Sequence, residues 1–153
     1  MRSHSSKTRW ARTRHPEVMD TATETTPRAD HNIWSGITAR DPLALRAWLL
    51  SLGFAEGILV DGEGGIVQHS EMLWPEGGRV MIASARPDDP HFTMPIGGAM
   101  LYVVTDEPDA VHARAEAEGV TFTRPMEDSD YGSRGFSILD PEGNSWSFGT
   151  YAG

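Results

Sequence analysis

The sequence predicts an α+β fold in which one βαβββ unit is used twice, and three observations predict it. The first is an internal repeat: Pro75 to Gly77 reads PEG, and so does Pro141 to Gly143, 66 positions further on. At the same offset Asp41-Pro42 falls on Glu107-Pro108, Leu45 on Val111, Ala47 on Ala113, Gly53 on Gly119 and Phe54 on Val120. The second is that each half opens with a β-rich run, then an acid, a proline and one helix-length segment closed by glycine. The third is that the rest of each half divides into short β-branched and aromatic runs separated by turn residues.

In chain order, "NIWSGITAR" is the first strand candidate, with Trp, Ile and Thr suited to a pleated surface. "PLALRAWLLSLG" follows as a helix, with Leu45, Trp48, Leu49 and Leu52 at helical spacing and Gly53 as its C-terminal stop. "AEGILVD", "GGIVQHSEMLW" and "RVMIAS" complete the first half as strands. The second half repeats the plan with "GAMLYVVT", the helix "PDAVHARAEAEG", and the strands "VTFTRP", "RGFSILD" and "SWSFGTY". Each PEG turn joins the last two strands of its half, its glycine supplying a positive φ without steric cost. The predicted boundaries are a disordered tail over 1–29, a first module over 30–86, a linker over 87–98 and a second module over 99–153. Pro87, Pro90, Pro95 and Gly97-Gly98 punctuate that linker.

At 153 residues the chain suits one compact unit or two small halves sharing a core. Its net charge of -9 is uneven, because residues 1–28 hold six basic groups against three acids. The acidic remainder repels polyphosphates, so nucleic acid is not the expected partner and a neutral or cationic small molecule is. No apolar run is long enough to span a bilayer, and the tail lacks the apolar centre of a secretory signal. With no cysteine, the chain has neither disulfides nor thiolate chemistry, so a cytoplasmic location is expected and any metal would need imidazole or carboxylate. Met19 offers a second start for translation besides Met1.

The tandem modules, "ARDPLALRAWLLSLGF" and the closing "YGSRGFSILDPEGNSWSFGTY" together resemble the vicinal oxygen chelate superfamily. That group includes glyoxalase I, extradiol dioxygenases and bleomycin-resistance proteins, and this chain is most similar to the glyoxalase/bleomycin-resistance, PhnB-like kind. The resemblance runs from about Ile33 to Tyr151. It implies an eight-stranded cup, four strands from each half, with helices packed outside and a ligand inside, and it implies a homodimer. It also implies four points where metal-using relatives hold their ion, which fall here on Trp34, Met81, Met100 and Ser147. None is a metal ligand of the expected kind, so no metal site and no cofactor are expected.

Strand alternation on that frame turns Trp34, Met100 and Tyr102 toward the cup, with Met81 facing them. A lining of tryptophan, tyrosine and methionine suits stacking on planar groups or holding a cation over a ring. The same residues would equally well fill the cup and leave no cavity. Trp146 and Phe148 should face the helices as core while Ser145 and Ser147 look inward, and Trp48 is core on its helix. His69 and Glu71, two apart in "VQHSEML", share one strand face, where a carboxylate can orient an imidazole for proton transfer or help bind a cation. An exposed strand face would carry the same pair without function. Tyr131 and Arg134, in the glycine-flanked "EDSDYGSRGF", fall where the resemblance places a loop at the pocket mouth. His91, in the linker, and His112, on the second helix, support no argument for a role.

The function expected is therefore metal-independent sequestration of a partly aromatic, neutral or cationic small molecule such as an antibiotic. The alternative is a vicinal oxygen chelate enzyme, a lyase, isomerase or dioxygenase with a relocated or absent metal site. In that case His69 and Glu71 are the catalytic candidates and a divalent metal is the cofactor.

Overall fold

The computed structural model describes residues 33–153. The tail expected over 1–29 lies outside the described residues. The elements run β1 (Ser35–Ala39), α1 (Pro42–Leu52), β2 (Ala55–Asp61), β3 (Val67–Leu73), β4 (Arg79–Ser84), β5 (Met100–Val104), α2 (Pro108–Ala117), β6 (Thr121–Asp128), β7 (Arg134–Leu139) and β8 (Ser145–Gly149). Every predicted element is present. The run expected as one strand from Gly64 to Trp74 is shortened at its start, because Gly64 and Gly65 take positive φ in a 3₁₀ turn before β3. β6 extends past its predicted end and accommodates Pro125, which an edge strand tolerates because it has an unpaired side.

The strands form two four-stranded sheets of identical order, β1-β4-β3-β2 and β5-β8-β7-β6. In each sheet the first strand runs parallel to the fourth and the other neighbours are antiparallel. Even the register repeats: Ser35 pairs with Val80 in the first sheet, and Leu101 with Trp146 in the second. α1 begins as its sequence requires, with the Asp41 carboxylate accepting from the Ala44 N–H at 3.0 Å and Pro42 in the first turn. It stops at Gly53, whose φ of 111° lets the chain leave the helix in the left-handed region.

The PEG turns explain why the two halves stay together. Glu142 of the second module accepts the backbone N–H groups of Arg40 and Asp41, at 3.1 and 2.9 Å, just ahead of α1. Glu76 of the first module accepts the N–H of Asp106 at 2.7 Å, just ahead of α2. Each module thus caps the approach to the other module's helix, satisfying donors that would otherwise lack a partner. Behind the second turn, buried Asp140 receives the Glu142 and Asn144 N–H groups, the Asn144 side-chain amide and the Trp146 indole N–H. This is what the motif DPEGNSW encodes.

One hydrophobic cluster joins both sheets and both helices. Leu45, Leu49 and Leu52 of α1 meet Val80 and Ile82 of β4, and the cluster continues through Val111 and Ala115 of α2 to Trp146 and Phe148 of β8. The Trp48 ring lies 6.3 Å from that of Trp146, and Trp74 lies 6.0 Å from Phe148, so aromatic contacts cross the module boundary. Trp146, Phe148 and Trp48 are core, as alternation and helical spacing predict. The helices lie on the buried faces of both sheets, and the opposite faces stay open. Among the described residues no strand pairs joins the two sheets, so the hollow expected between all eight strands is not closed within one chain. No helix among them is long and apolar enough to cross a membrane.

Candidate functional site

Alternation in β3 and β4 builds a polar cluster on the open face of the first sheet. Val80, Ile82 and Met72 take the buried side, which sends His69, Glu71, Arg79 and Met81 to the other. The register sets Glu71 beside Met81 and Leu73 beside Arg79. His69 Nε2 lies 2.9 Å from Glu71 Oε1, and Arg79 Nη1 lies 2.6 Å from Glu71 Oε2. The Arg79 guanidinium in turn stacks 4.4 Å from the centre of the Trp34 ring. The bond to His69, aided by Arg79 and opposed by burial, holds the Glu71 carboxyl below the usual glutamate range.

The backbone beneath Glu71 is secured from behind. β2 slips register between Glu56 and Leu59, and buried Arg46 of α1 reaches the carbonyls there, with Nη2 3.4 Å from Gly57 O and Nη1 3.5 Å from Ile58 O. Arg46 Nη1 also donates to Glu71 O at 2.9 Å. Gly57 is required at this crossing, since a Cβ there would stand 2.8 Å from Glu71 O. Arg46 and Arg79 were not singled out from the sequence. Their hydrogen-bond partners lie 8 to 25 positions away, beyond any local pattern.

Beside the cluster is a cavity of about 310 Å³ whose walls include Thr38, His69, Met81, Ala83, Phe92 and Met94. The first three and Ala83 come from the sheet, while Phe92 and Met94 belong to the linker. The linker is therefore a strap across this face. The Thr38 hydroxyl donates to Met94 O at 3.1 Å, Arg86 Nη2 donates to Gln68 O at 2.9 Å, and the Arg86 guanidinium lies 4.0 Å from the Phe92 ring centre. The sequence marked this segment only as punctuation.

The other predicted site residues are distributed elsewhere. Met100 and Tyr102 border a second cavity of about 520 Å³ between the modules, with Trp74, Glu76 and Arg79. Met81 lines the strapped cavity of the first sheet, and Met100 and Tyr102 line this second one. The Ser147 hydroxyl is 2.7 Å from that of Ser137. Tyr131 meets the Tyr151 ring edge-on at 5.7 Å, and the Tyr102 hydroxyl donates to Tyr151 O at 2.9 Å. Arg134 grips Asp109 with Nε and Nη2 at 3.0 and 2.8 Å, and Asp128 with Nη1 at 3.0 Å. These bonds raise the guanidinium's proton affinity further and lower the Asp109 carboxyl, making Arg134 a clasp between β7, α2 and β6.

Residues 52–148 match the family model of the Glyoxalase/Bleomycin resistance protein/Dioxygenase superfamily. The chain belongs to this superfamily. No curated protein matches the sequence significantly. Among solved structures, TioX from Micromonospora sp. ML1 is 24% identical with a TM-score of 0.65, covering 80% of this chain and 99% of that one. A glyoxalase/bleomycin resistance protein from Catenulispora acidiphila DSM 44928 is 25% identical with a TM-score of 0.55, covering 77% and 96%. A bleomycin resistance determinant encoded on the transposon Tn5 is 14% identical with a TM-score of 0.55, covering 78% and 96%. Among the described residues no three histidine, aspartate or glutamate side chains are grouped to hold one, and Trp34, Met81, Met100 and Ser147 offer neither imidazole nor carboxylate.

Proposed function

We propose that the protein binds and sequesters a small, partly aromatic molecule on the open face of its first sheet, without a metal ion. The observation that carries this reading is the 310 Å³ cavity under the linker strap. Its size lies at the lower end of the range for small-molecule sites, and its walls mix thioether, aromatic and imidazole groups. Methionines such as Met81 and Met94 adapt to planar ligands, while Phe92 offers a ring for stacking. An antibiotic is the ligand class that the superfamily likeness brings forward, and a cytoplasmic location belongs to the same reading, supported by the cysteine-free composition.

The same reading includes a homodimer. On β5 the side chains of Met100, Tyr102 and Val104 remain 84, 48 and 41% exposed, an apolar row that a second copy would cover. The enzymatic alternative draws its support from the His69–Glu71 pair. Metal analysis of the purified protein, alongside turnover assays on 2-oxo aldehydes and catechols, tests that alternative: a stoichiometric divalent ion with turnover would favour it. For the binding role, calorimetric titration with a panel of planar antibiotics is the direct test. We expect at least one member of the panel to bind, and Met81→Trp, which fills the cavity, to weaken that binding at least tenfold. Equal binding by Met81→Trp would remove the cavity from the account.

A further inference from the structure

His69 has one nitrogen committed and one not. Nε2 faces Glu71 at 2.9 Å, whereas Nδ1 makes no hydrogen bond among the described residues, and the ring borders the strapped cavity. Glu71 is held in its ionised form and its second oxygen is taken by Arg79, so the carboxylate can only accept. Nε2 must therefore carry the proton. In the neutral imidazole this leaves Nδ1 as a bare acceptor, with the tautomer set by the carboxylate behind it. His91 borders the same cavity, but its imidazole has no hydrogen-bond partner among the described residues to set its tautomer.

The neighbouring groups disfavour a cation here. Both Glu71 oxygens are engaged, and the two nearby rings suited to a cation already carry the protein's own guanidinium groups, Arg79 on Trp34 and Arg86 on Phe92. What remains for a ligand is an apolar wall of Met81, Ala83, Phe92 and Met94, bordered by the polar groups of Thr38, Gln68, His91 and Thr93 and by His69 Nδ1, the imidazole acceptor whose tautomer a carboxylate fixes. We propose that the cavity selects a neutral aromatic ligand bearing a phenolic O–H, which donates to His69 Nδ1, with Glu71 and Arg79 as the positioning residues behind it. This inference rests on the binding role argued above. A ligand lacking the hydroxyl would cover Nδ1 and leave it unpaired away from water, which is how such a site discriminates.

The test uses two probes of the same ring system, 2-naphthol and its methyl ether, titrated into the full chain at neutral pH. The wild type should prefer 2-naphthol about five- to tenfold, the worth of one net hydrogen bond. His69→Leu should abolish that preference while keeping affinity for the ether, and Glu71→Gln, which frees the tautomer, should reduce it. In the imidazole ¹⁵N spectrum of the wild type, 2-naphthol should shift the His69 Nδ1 resonance and the ether should not. Equal affinity of the wild type for both probes, a preference that survives in His69→Leu, or an unmoved Nδ1 resonance with 2-naphthol bound would overturn the proposal. If neither probe binds the wild type, the cavity's binding role fails first and this inference falls with it.

Discussion

The open faces of the two sheets share a strand order and a register yet carry different chemistry. The first presents an ionic cluster, His69, Glu71 and Arg79, next to a cavity roofed by the linker. The second presents an apolar row on β5 and a pair of serine hydroxyls between β7 and β8, with Arg124 of β6 donating to Ser137 and pairing with Glu127, and the Arg134 clasp at its rim. Duplication therefore preserved the face that makes the core and released the other. The reason is energetic: each buried residue touches many neighbours in a close-packed interior, whereas an open face can change without a cavity or an unpaired group forming behind it.

The largest test of that contrast is on the shared side. Trp146→Ala should cost about 3–5 kcal/mol, as large-to-small changes at buried aromatics do, and denaturant unfolding should remain a single transition because the cluster spans both modules. Two separated transitions would show that the modules are independent. Next are the exchanged turns. Glu142→Ala removes the acceptor for two backbone N–H groups and should destabilise by about 1 kcal/mol, and Glu76→Ala, which serves one, by less. Urea titrations would measure both, and equal losses would break the expected ranking.

A third test reads the ionic cluster through pH. The Glu71 carboxyl is lower in the folded chain than in the unfolded one, so it stabilises the fold above the unfolded value of about 4.3. That contribution fades as pH falls through the depressed folded value. Stability measured across the acid range should therefore decline less steeply in Glu71→Gln than in wild type. Superimposable curves would show that the pair is not formed in solution. The smallest effect on folding is expected at Met100→Ser on the open second sheet, within about 0.5 kcal/mol of wild type, since the side chain is 84% exposed. The same variant should lower the sedimentation mass toward a monomer if a second copy covers this row.

Some of the site was legible before the fold was known. Two-residue spacing placed His69 and Glu71 on one face, and the structure joins them at 2.9 Å. Alternation also put Trp146 and Phe148 in the core. The third member, Arg79, was hidden because it reaches Glu71 only through the β3–β4 pairing. Arg134 looked available beside its glycines, yet Asp109, 25 positions away on α2, and Asp128 close every arm of its fork. Thr38 and Met94 are 56 positions apart, and nothing local announces the bond that makes the linker a roof.

Read without coordinates, the chain already declares its repeat, its elements, its helix stops and the side each strand buries. The repeat is read by comparing the chain with itself, and the other properties depend on residues within one or two turns of each other, where spacing and backbone preference are sufficient. Which module each PEG glutamate serves and what covers the open face of the first sheet were decided only by tertiary structure. These are outcomes of packing two amphipathic sheets and two helices around one core, and packing couples residues by their distance in space, for which order along the chain carries no measure.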